Sequence, residues 1–181
     1  MKVLFLDKDG TLTQAANPKA FVSNPTDQFL IAGVFDRVAK YVADGFTPII
    51  ISNQGGVAYG YKTEADAIEE MRYAMNLLSV DGQSMIREAW FCPSFPDSGG
   101  DQCWVVDASI ELRPLCLDWD GVEALFRKPN PGMVETAIDL LAEQNHISKE
   151  DCLFVGDRPE DQQCAVNAGI PFQWAHDWVA S

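Results

Sequence analysis

Asp7 and Asp9 stand two residues apart at the exit of a short apolar run, residues 2–6. On an extended chain that spacing points both carboxylates to one side. Two carboxylates in one pocket repel and raise one another's proton affinity unless a divalent cation neutralises them. Asp157, at the end of another apolar run, could complete an all-oxygen site, and a few hard oxygen ligands with water and phosphate in the remaining positions suit magnesium. Lys128 follows Arg127 and precedes Pro129-Asn130-Pro131-Gly132, a turn that would hold its backbone in place. A fixed lysine can neutralise charge on a transferring phosphoryl group. Ser52 offers a hydroxyl at the end of a third apolar run, and the backbone N–H groups of residues 53–56 could form an anion-binding concavity. Each feature has a plainer alternative: an Asp-Gly pair commonly starts a turn, a Ser-Asn loop is usually only a loop, and an Arg-Lys pair usually sits on a solvated face. Their joint order points to phosphoryl chemistry.

Those residues need elements to position them. Residues 2–6 read as a buried strand, and residues 33–44, with Val34, Val38, Tyr41 and Val42 at three- and four-residue spacing, as an amphipathic helix. A second strand follows at 47–51, then a helix N-capped by Thr63 and running to about 78, and a third strand near 87–91. Residues 92–126 show no clear period. Beyond them the pattern predicts a helix at 133–144, a strand at 152–155, a helix at 161–168 and a short strand at 170–172. Alternation of this kind implies an α/β, doubly wound (Rossmann-like) parallel sheet with helices on both faces, whose ligands bind beyond the carboxyl ends of the strands. Length and the lack of a linker or repeat predict a single domain over 1–181, with an irregular acidic insert at about 92–126.

Hydrophobic residues make up 47% of the 181, enough for a real core, which excludes a disordered chain. The formal net charge of −14 attracts cations and repels polyanions, so it favours a metal cofactor and disfavours nucleic acid. No apolar run is long enough to cross a bilayer, and an acidic residue comes too early for a signal peptide, so the expectation is a cytoplasmic protein without a membrane partner. Cys92, Cys103, Cys116, Cys152 and Cys164 form an odd, scattered set that reads as reduced thiols.

The set Asp7-Lys8-Asp9-Gly10-Thr11, Ser52-Asn53-Gln54, Arg127-Lys128-Pro129-Asn130-Pro131-Gly132-Met133 and Gly156-Asp157-Arg158-Pro159-Glu160-Asp161 resembles the four motifs of the haloacid dehalogenase (HAD) superfamily. The resemblance spans nearly the whole chain. Within it, the second and third motifs are similar to the subclass that holds histidinol-phosphatase, heptose-bisphosphate phosphatase and polynucleotide 3'-phosphatase domains. The resemblance implies that Asp7 attacks phosphorus and forms an aspartyl-phosphate, that Asp9 protonates the leaving alcohol and later activates water, and that Ser52 and Lys128 hold the phosphoryl oxygens. It further implies magnesium bound by Asp7, the backbone carbonyl of Asp9 and Asp157, with Thr11, Asn53 and Arg127 facing the substrate. Asp161 is a supporting residue, either orienting the metal site or lysine or capping a helix. Relatives that process halides lack the second acid, so Asp9 favours phosphate-ester hydrolysis.

The heptose-bisphosphate branch carries a zinc loop of Cys-x-His followed by Cys-x-Cys. Here Ser94 stands where the histidine would be, while Cys103 and Cys116 are isolated, so zinc is not expected. The segment instead holds Asp97, Asp101, Asp107, Glu111, Asp118, Asp120 and Glu123 against Arg113, which would repel a polynucleotide if it covers the site. Trp104 and Trp119 read as anchors to the core. The chain between Asp9 and the first helix is too short for a folded cap, so no large cap domain and an open site are expected. Specificity would fall to residues 12–26, the segment after Gly55 and the acidic insert. His146 and His176 take no catalytic role. The leading expectation is a phosphomonoesterase for a small phosphorylated metabolite such as a sugar phosphate. A polynucleotide 3'-phosphatase is the alternative, and a non-catalytic phosphate- or protein-binding module is disfavoured by the intact set of charged residues. Oligomeric state is not legible.

Overall fold

The computed structural model describes residues 1–17, 22, 24–95, 102–107 and 125–181. The chain opens with strand β1 (Lys2–Leu6), followed by a small antiparallel hairpin, β2 (Thr13–Ala15) and β3 (Gln28–Leu30), then helix α1 (Val34–Ala43) and strand β4 (Phe46–Asn53). Helix α2 (Glu64–Leu77) leads to a second hairpin, β5 (Ser79–Val80) and β6 (Gln83–Ser84), and on to β7 (Glu88–Cys92) and β8 (Trp104–Asp107). Helix α3 (Gly132–Ala142), strand β9 (Cys152–Gly156), helix α4 (Pro159–Ala168), strand β10 (Phe172–Trp174) and helix α5 (Ala175–Ala180) complete it.

Six strands form the central sheet in the order β10-β9-β1-β4-β7-β8. β1 lies between β4 and β9 and runs parallel to both, with Phe5 opposite Ile49 on one side and Phe154 on the other. Its side chains alternate between two cores. Val3 and Phe5 pack with Ile49, Ile51, Trp90, Met133 and Ala165 on the face covered by α3 and α4. Leu4 and Leu6 pack with Ile50, Val38, Met71 and Trp178 on the face covered by α1, α2 and α5. Burial on both faces is what makes these strands continuous apolar runs rather than alternating ones. Phe154 has no exposed surface, and its truncation to alanine would cost about 3–5 kcal/mol.

The doubly wound architecture matches the sequence expectation, with one correction to the sheet. β8 pairs antiparallel with β7 along Glu88↔Asp107 to Phe91↔Trp104, so the sheet is mixed at that edge. Part of the segment expected to be irregular is therefore a strand, and four residues were too short to show a period. Trp104 stacks on Phe91 at 6.5 Å, in keeping with the anchoring expected of it. Most of the acidic insert, with Trp119 and Cys116, lies outside the described residues. The last strand begins two residues later than its apolar signal because Ile170 donates to Ala165 O, closing α4 after Gly169 in the left-handed region. Helix α4 starts at Pro159, two residues earlier than expected, because proline at a first helical position forgoes an N–H that has no partner there anyway. Among the described residues no helix is long and apolar enough to cross a membrane.

Candidate active site

The chain leaves β1 towards β4 on one side and reaches β9 on the other, so a crevice opens at the carboxyl end of β1. Asp7 follows β1 directly, and its N–H donates to Val155 O at 3.0 Å, carrying the ladder one residue beyond the strand. Ser52, the last residue but one of β4, is buried; Asp157 follows β9 and is exposed. The turn after Asp7 is closed by Leu12 and Thr13, whose N–H groups both donate to Lys8 O. Gly10 takes φ +93°, and a Cβ there would sit 2.2 Å from Asp157 Oδ2, so only glycine lets the first and last motifs approach.

Lys128 is the centre of the charged cluster. Its Nζ donates to Asp7 Oδ1 at 2.6 Å and to Ile51 O at 2.9 Å, and lies 2.6 Å from Asp161 Oδ1 as an ion pair outside hydrogen-bond alignment. It also sits 5.7 Å from the Phe154 ring centroid, directly over the core. Asp161 performs both roles that the sequence left open. Its Oδ2 accepts from Arg158 N at 3.1 Å at the start of α4, while its Oδ1 pairs with Lys128. A Cβ on Gly156 would fall 2.4 Å from the Asp161 Cβ, so that glycine admits the helix start to the strand end.

Carboxylate oxygens of Asp7, Asp157 and Asp161 lie within 4.8 Å of one another. Burial pushes the Asp7 carboxyl up to about 7 against the pull of Lys128, with Asp161 and Asp9 adding repulsion. Partial desolvation and the Asp161 charge also raise Asp157. Lys128, although buried, is driven upward by Asp7 and Asp161 and stays charged. Three carboxylates around one buried ammonium, with the exposed Arg158 guanidinium acting on them from the rim, leave a net negative pocket. An all-oxygen donor set with surplus negative charge fits a hard divalent cation such as magnesium. Asp161, expected as a supporting residue, stands among the three, whereas the Asp9 side chain turns away from them. Thr11 is buried beneath this cluster, its Oγ1 3.5 Å from Asp157 Oδ1, at the limit of a hydrogen bond.

The Asp9 carboxylate faces the other side of the loop. Lys8 Nζ donates to its Oδ1, and Gln54 Nε2 donates to its Oδ2 at 2.9 Å. Burial works to raise Asp9, but the Lys8 ammonium, backed by Lys62 and the Gln54 amide, outweighs it and holds the carboxyl below its usual range. The same Gln54 Nε2 donates to Ser52 Oγ at 2.9 Å, leaving the hydroxyl proton of Ser52 available to an incoming oxygen.

Asn53, expected to face the substrate, is used differently. Its Nδ2 donates to Lys128 O at 2.9 Å and its Oδ1 accepts from Lys128 N at 3.0 Å, so the amide clamps the lysine's backbone with both ends. Arg127 Nη1 donates to Ser94 O at 2.8 Å, and its guanidinium borders Gly55. Beyond it, exposed Tyr59 stacks on Tyr61 at 5.7 Å and meets the edge of Phe95 at 4.9 Å.

Sequence reading passed over Gln54, Lys62, Glu70 and Lys8 as functional side chains. The available sign was Glu70, which shares a helical face with Ala67, Met71 and Ala74, all buried; a charge on an apolar stripe demands a partner. Burial pushes the Cys152 thiol up to about 11 and Cys164 to about 12, so both stay protonated and unreactive. Cys92 and Cys103 are buried, and Cys116 lies outside the described residues.

The family described as polynucleotide kinase 3 phosphatase matches residues 2–177. A D-glycero-D-manno-heptose-1,7-bisphosphate 7-phosphatase of Chlorobaculum tepidum is 31% identical over 170 residues, 93% of this chain and 75% of that protein. Among solved structures, the D,D-heptose 1,7-bisphosphate phosphatase of B. bronchiseptica, complexed with magnesium and phosphate, superposes with TM-score 0.63 at 24% identity, covering 95% of this chain and 79% of that one. A HAD-like phosphatase of Mesorhizobium loti does so with TM-score 0.68 at 23% identity, covering 99% and 85%. The chain belongs to the polynucleotide kinase 3 phosphatase family and is a phosphoric monoester hydrolase of the HAD superfamily.

Proposed function

We propose that this phosphatase is magnesium-dependent, works through an aspartyl-phosphate on Asp7, and acts on a small phosphorylated sugar. The observation that carries the reading is Asp7 itself, held at the crevice with Oδ1 on Lys128 and with Asp9 two residues on, hydrogen-bonded into the opposite wall. Oδ1 is oriented by the ammonium, which leaves Oδ2 to attack phosphorus in line. The new bond joins Asp7 to phosphorus as the bond to the leaving oxygen breaks, and that oxygen takes its proton from Asp9, which is ionised in the free protein and receives the proton carried by the monoanionic phosphate ester as it binds. Asp9 then removes a proton from water, which attacks the same phosphorus and releases phosphate, regenerating Asp7. Ser52 and Lys128 stabilise charge on the phosphoryl oxygens, with Lys128 following the charge as it passes from Asp7 to the phosphoryl group. Asp7, Asp157 and the backbone carbonyl of Asp9 would hold magnesium, with Asp161 beside them. Once bound, the ion neutralises the phosphoryl oxygens and the crowded carboxylates.

A sugar substrate is supported by the heptose-bisphosphate phosphatase relatives and by the net charge of −14, which opposes polynucleotides. Arg127 and the exposed faces of Tyr59 and Tyr61 supply a rim suited to a polar ring with C–H surface. The name of the matching family favours a second reading, a polynucleotide 3'-phosphatase. The test is phosphate release from heptose bisphosphate, histidinol phosphate, hexose phosphates and a 3'-phosphorylated oligonucleotide, with magnesium and with a chelator. Magnesium-dependent turnover of a sugar phosphate is expected. Preference for the oligonucleotide would overturn the substrate assignment, and full activity in chelator would remove the metal.

A further inference from the structure

Four charged side chains are brought together on the β4 side of the nucleophile loop, and the phosphoryl chemistry uses only one of them. Glu70, in the middle of α2, is 1% exposed, and Lys8 is fully buried. Lys62, just before the Thr63 cap of α2, has a side chain 11% exposed. Lys62 Nζ donates to Glu70 Oε1 at 2.7 Å, to Glu70 Oε2 at 2.8 Å and to Gln54 Oε1 at 2.7 Å. Lys8 Nζ lies 3.6 Å from Glu70 Oε2 and donates to Asp9 Oδ1 and, at 3.3 Å, to Gln28 Oε1. Gln28 in turn donates to Glu70 O at 3.0 Å and Pro25 O at 2.8 Å and accepts from Thr13 Oγ1 at 3.1 Å, so its amide is fixed at both ends.

This arrangement leaves the Gln54 amide one orientation. A lysine can only donate, so the amide oxygen must face Lys62 and the NH2 must face Asp9 and Ser52. Glu70 holds the lysine that makes this choice, and stands against the lysine that grips the other Asp9 oxygen. Two ammonium groups and two carboxylates are neutral together. Stability alone does not require them, because apolar residues of similar volume in place of a buried ion set are often as stable or more so.

We propose that Glu70, acting through Lys62 and Lys8, is a positioning residue that fixes the Gln54 amide and the Asp9 carboxylate, and thereby governs how well the enzyme expels poor leaving groups. The proposal rests on the reading of Asp9 as the acid that protonates the leaving oxygen. Asp9 gripped at both oxygens is held in one orientation; released, it can rotate while Asp7, Lys128 and the metal side stay in place.

The experiment compares kcat/KM, which covers steps up to formation of the aspartyl-phosphate, for p-nitrophenyl phosphate and for hexose phosphates in magnesium. The first has a leaving group that needs no proton; the second does. Glu70→Gln is expected to lower kcat/KM on the hexose phosphate by roughly 10–100-fold while changing the aryl ester by less than about threefold. Half-saturation by magnesium should not move. Lys62→Met, which removes the same donor from Gln54 at a partly exposed position, should repeat the split if Glu70→Gln does not fold, and Lys62→Arg should restore much of it. Equal losses on both esters, or none on either, overturn the proposal while leaving the phosphatase reading intact. A wild-type enzyme that turns over neither ester with magnesium would overturn both.

Discussion

The two walls of the crevice are charged in opposite styles. On the β9 side, Asp7, Asp157 and Asp161 crowd around a single Lys128. On the β4 side, Asp9 and Glu70 are matched by Lys8 and Lys62. The first wall has more carboxylates than cations, and burial, with repulsion from Asp161 and Asp9, pushes Asp7 up to about 7 against the pull of Lys128. The second is complete within the protein, and Asp9 is held below its usual range although burial opposes it. One wall carries a surplus of carboxylate charge of the kind a cation would offset, whereas the other keeps a carboxylate oriented by ammonium groups of the protein. The loop of residues 7–9 therefore presents two chemically similar side chains in different states. In the metal-free protein these states run opposite to those the proposed first step needs, an ionised Asp7 and a protonated Asp9, so a cation bound on the Asp7 side would have to draw Asp7 back to its ionised form.

Removing Asp7, the proposed nucleophile, is the strongest way to test this contrast. Asp7→Asn should cut kcat by at least ~10^4-fold, as loss of a covalent nucleophile does elsewhere, and trapping with acid should recover no phosphorylated protein. Lys128→Ala comes next, at roughly 10^2–10^3-fold in kcat, the loss expected for one preorganised electrostatic donor. Because Asp7 and Asp161 would then share a buried site without their counter-ion, the variant should also melt earlier than wild type unless magnesium is present. A neutral result would move phosphoryl stabilisation away from the β9 wall. Asp157→Asn should act through the metal, raising the magnesium concentration for half-activity on the order of tenfold or more, with a smaller change at saturating metal. An unchanged magnesium curve would exclude Asp157 as a ligand.

The β9 wall was legible in the sequence and much of the β4 wall was not, for a physical reason. Asp7, Lys128 and Asp157 each sit at the end of an apolar run or in a proline-bracketed turn, where local pattern announces both the element and its exit. Lys62 and Glu70 are eight residues apart across a helix start, and Lys8, from a distant part of the chain, pairs with Glu70 directly while Gln28 of β3 braces both. Asn53 shows the limit of reading by motif: its place in the loop suggests substrate, but the hydrogen bonds at both ends of its amide commit it to the Lys128 backbone. Strand β8 escaped for a different reason. Trp104, Val105 and Val106 favour a strand, but four residues are too few to show a period, and pairing with β7 completes the element.

The contrast also sets the pH dependence of stability, where the effect is smallest and the sign is specific. A carboxyl whose proton is held more tightly in the folded chain makes the folded state bind more protons than the unfolded one between the two pKa values. For Asp7 that interval runs from 3.8 to about 7. Metal-free protein should accordingly lose stability as pH rises through that window and level off above it, by a few kcal/mol at most, or roughly 5–10 °C in melting temperature for a chain of this size. Asp9, shifted downward, contributes with the opposite sign and only at pH below its ordinary value, so it does not cancel the trend. Magnesium should flatten the slope because it binds the ionised form, and Asp7→Asn should flatten it without metal because no proton is left to lose. Thermal melts at pH 5, 6, 7 and 8, with and without magnesium, decide the point. A metal-free wild type that grows more stable across that range would mean the Asp7 charge is already balanced within the protein, and the two walls would no longer differ in kind.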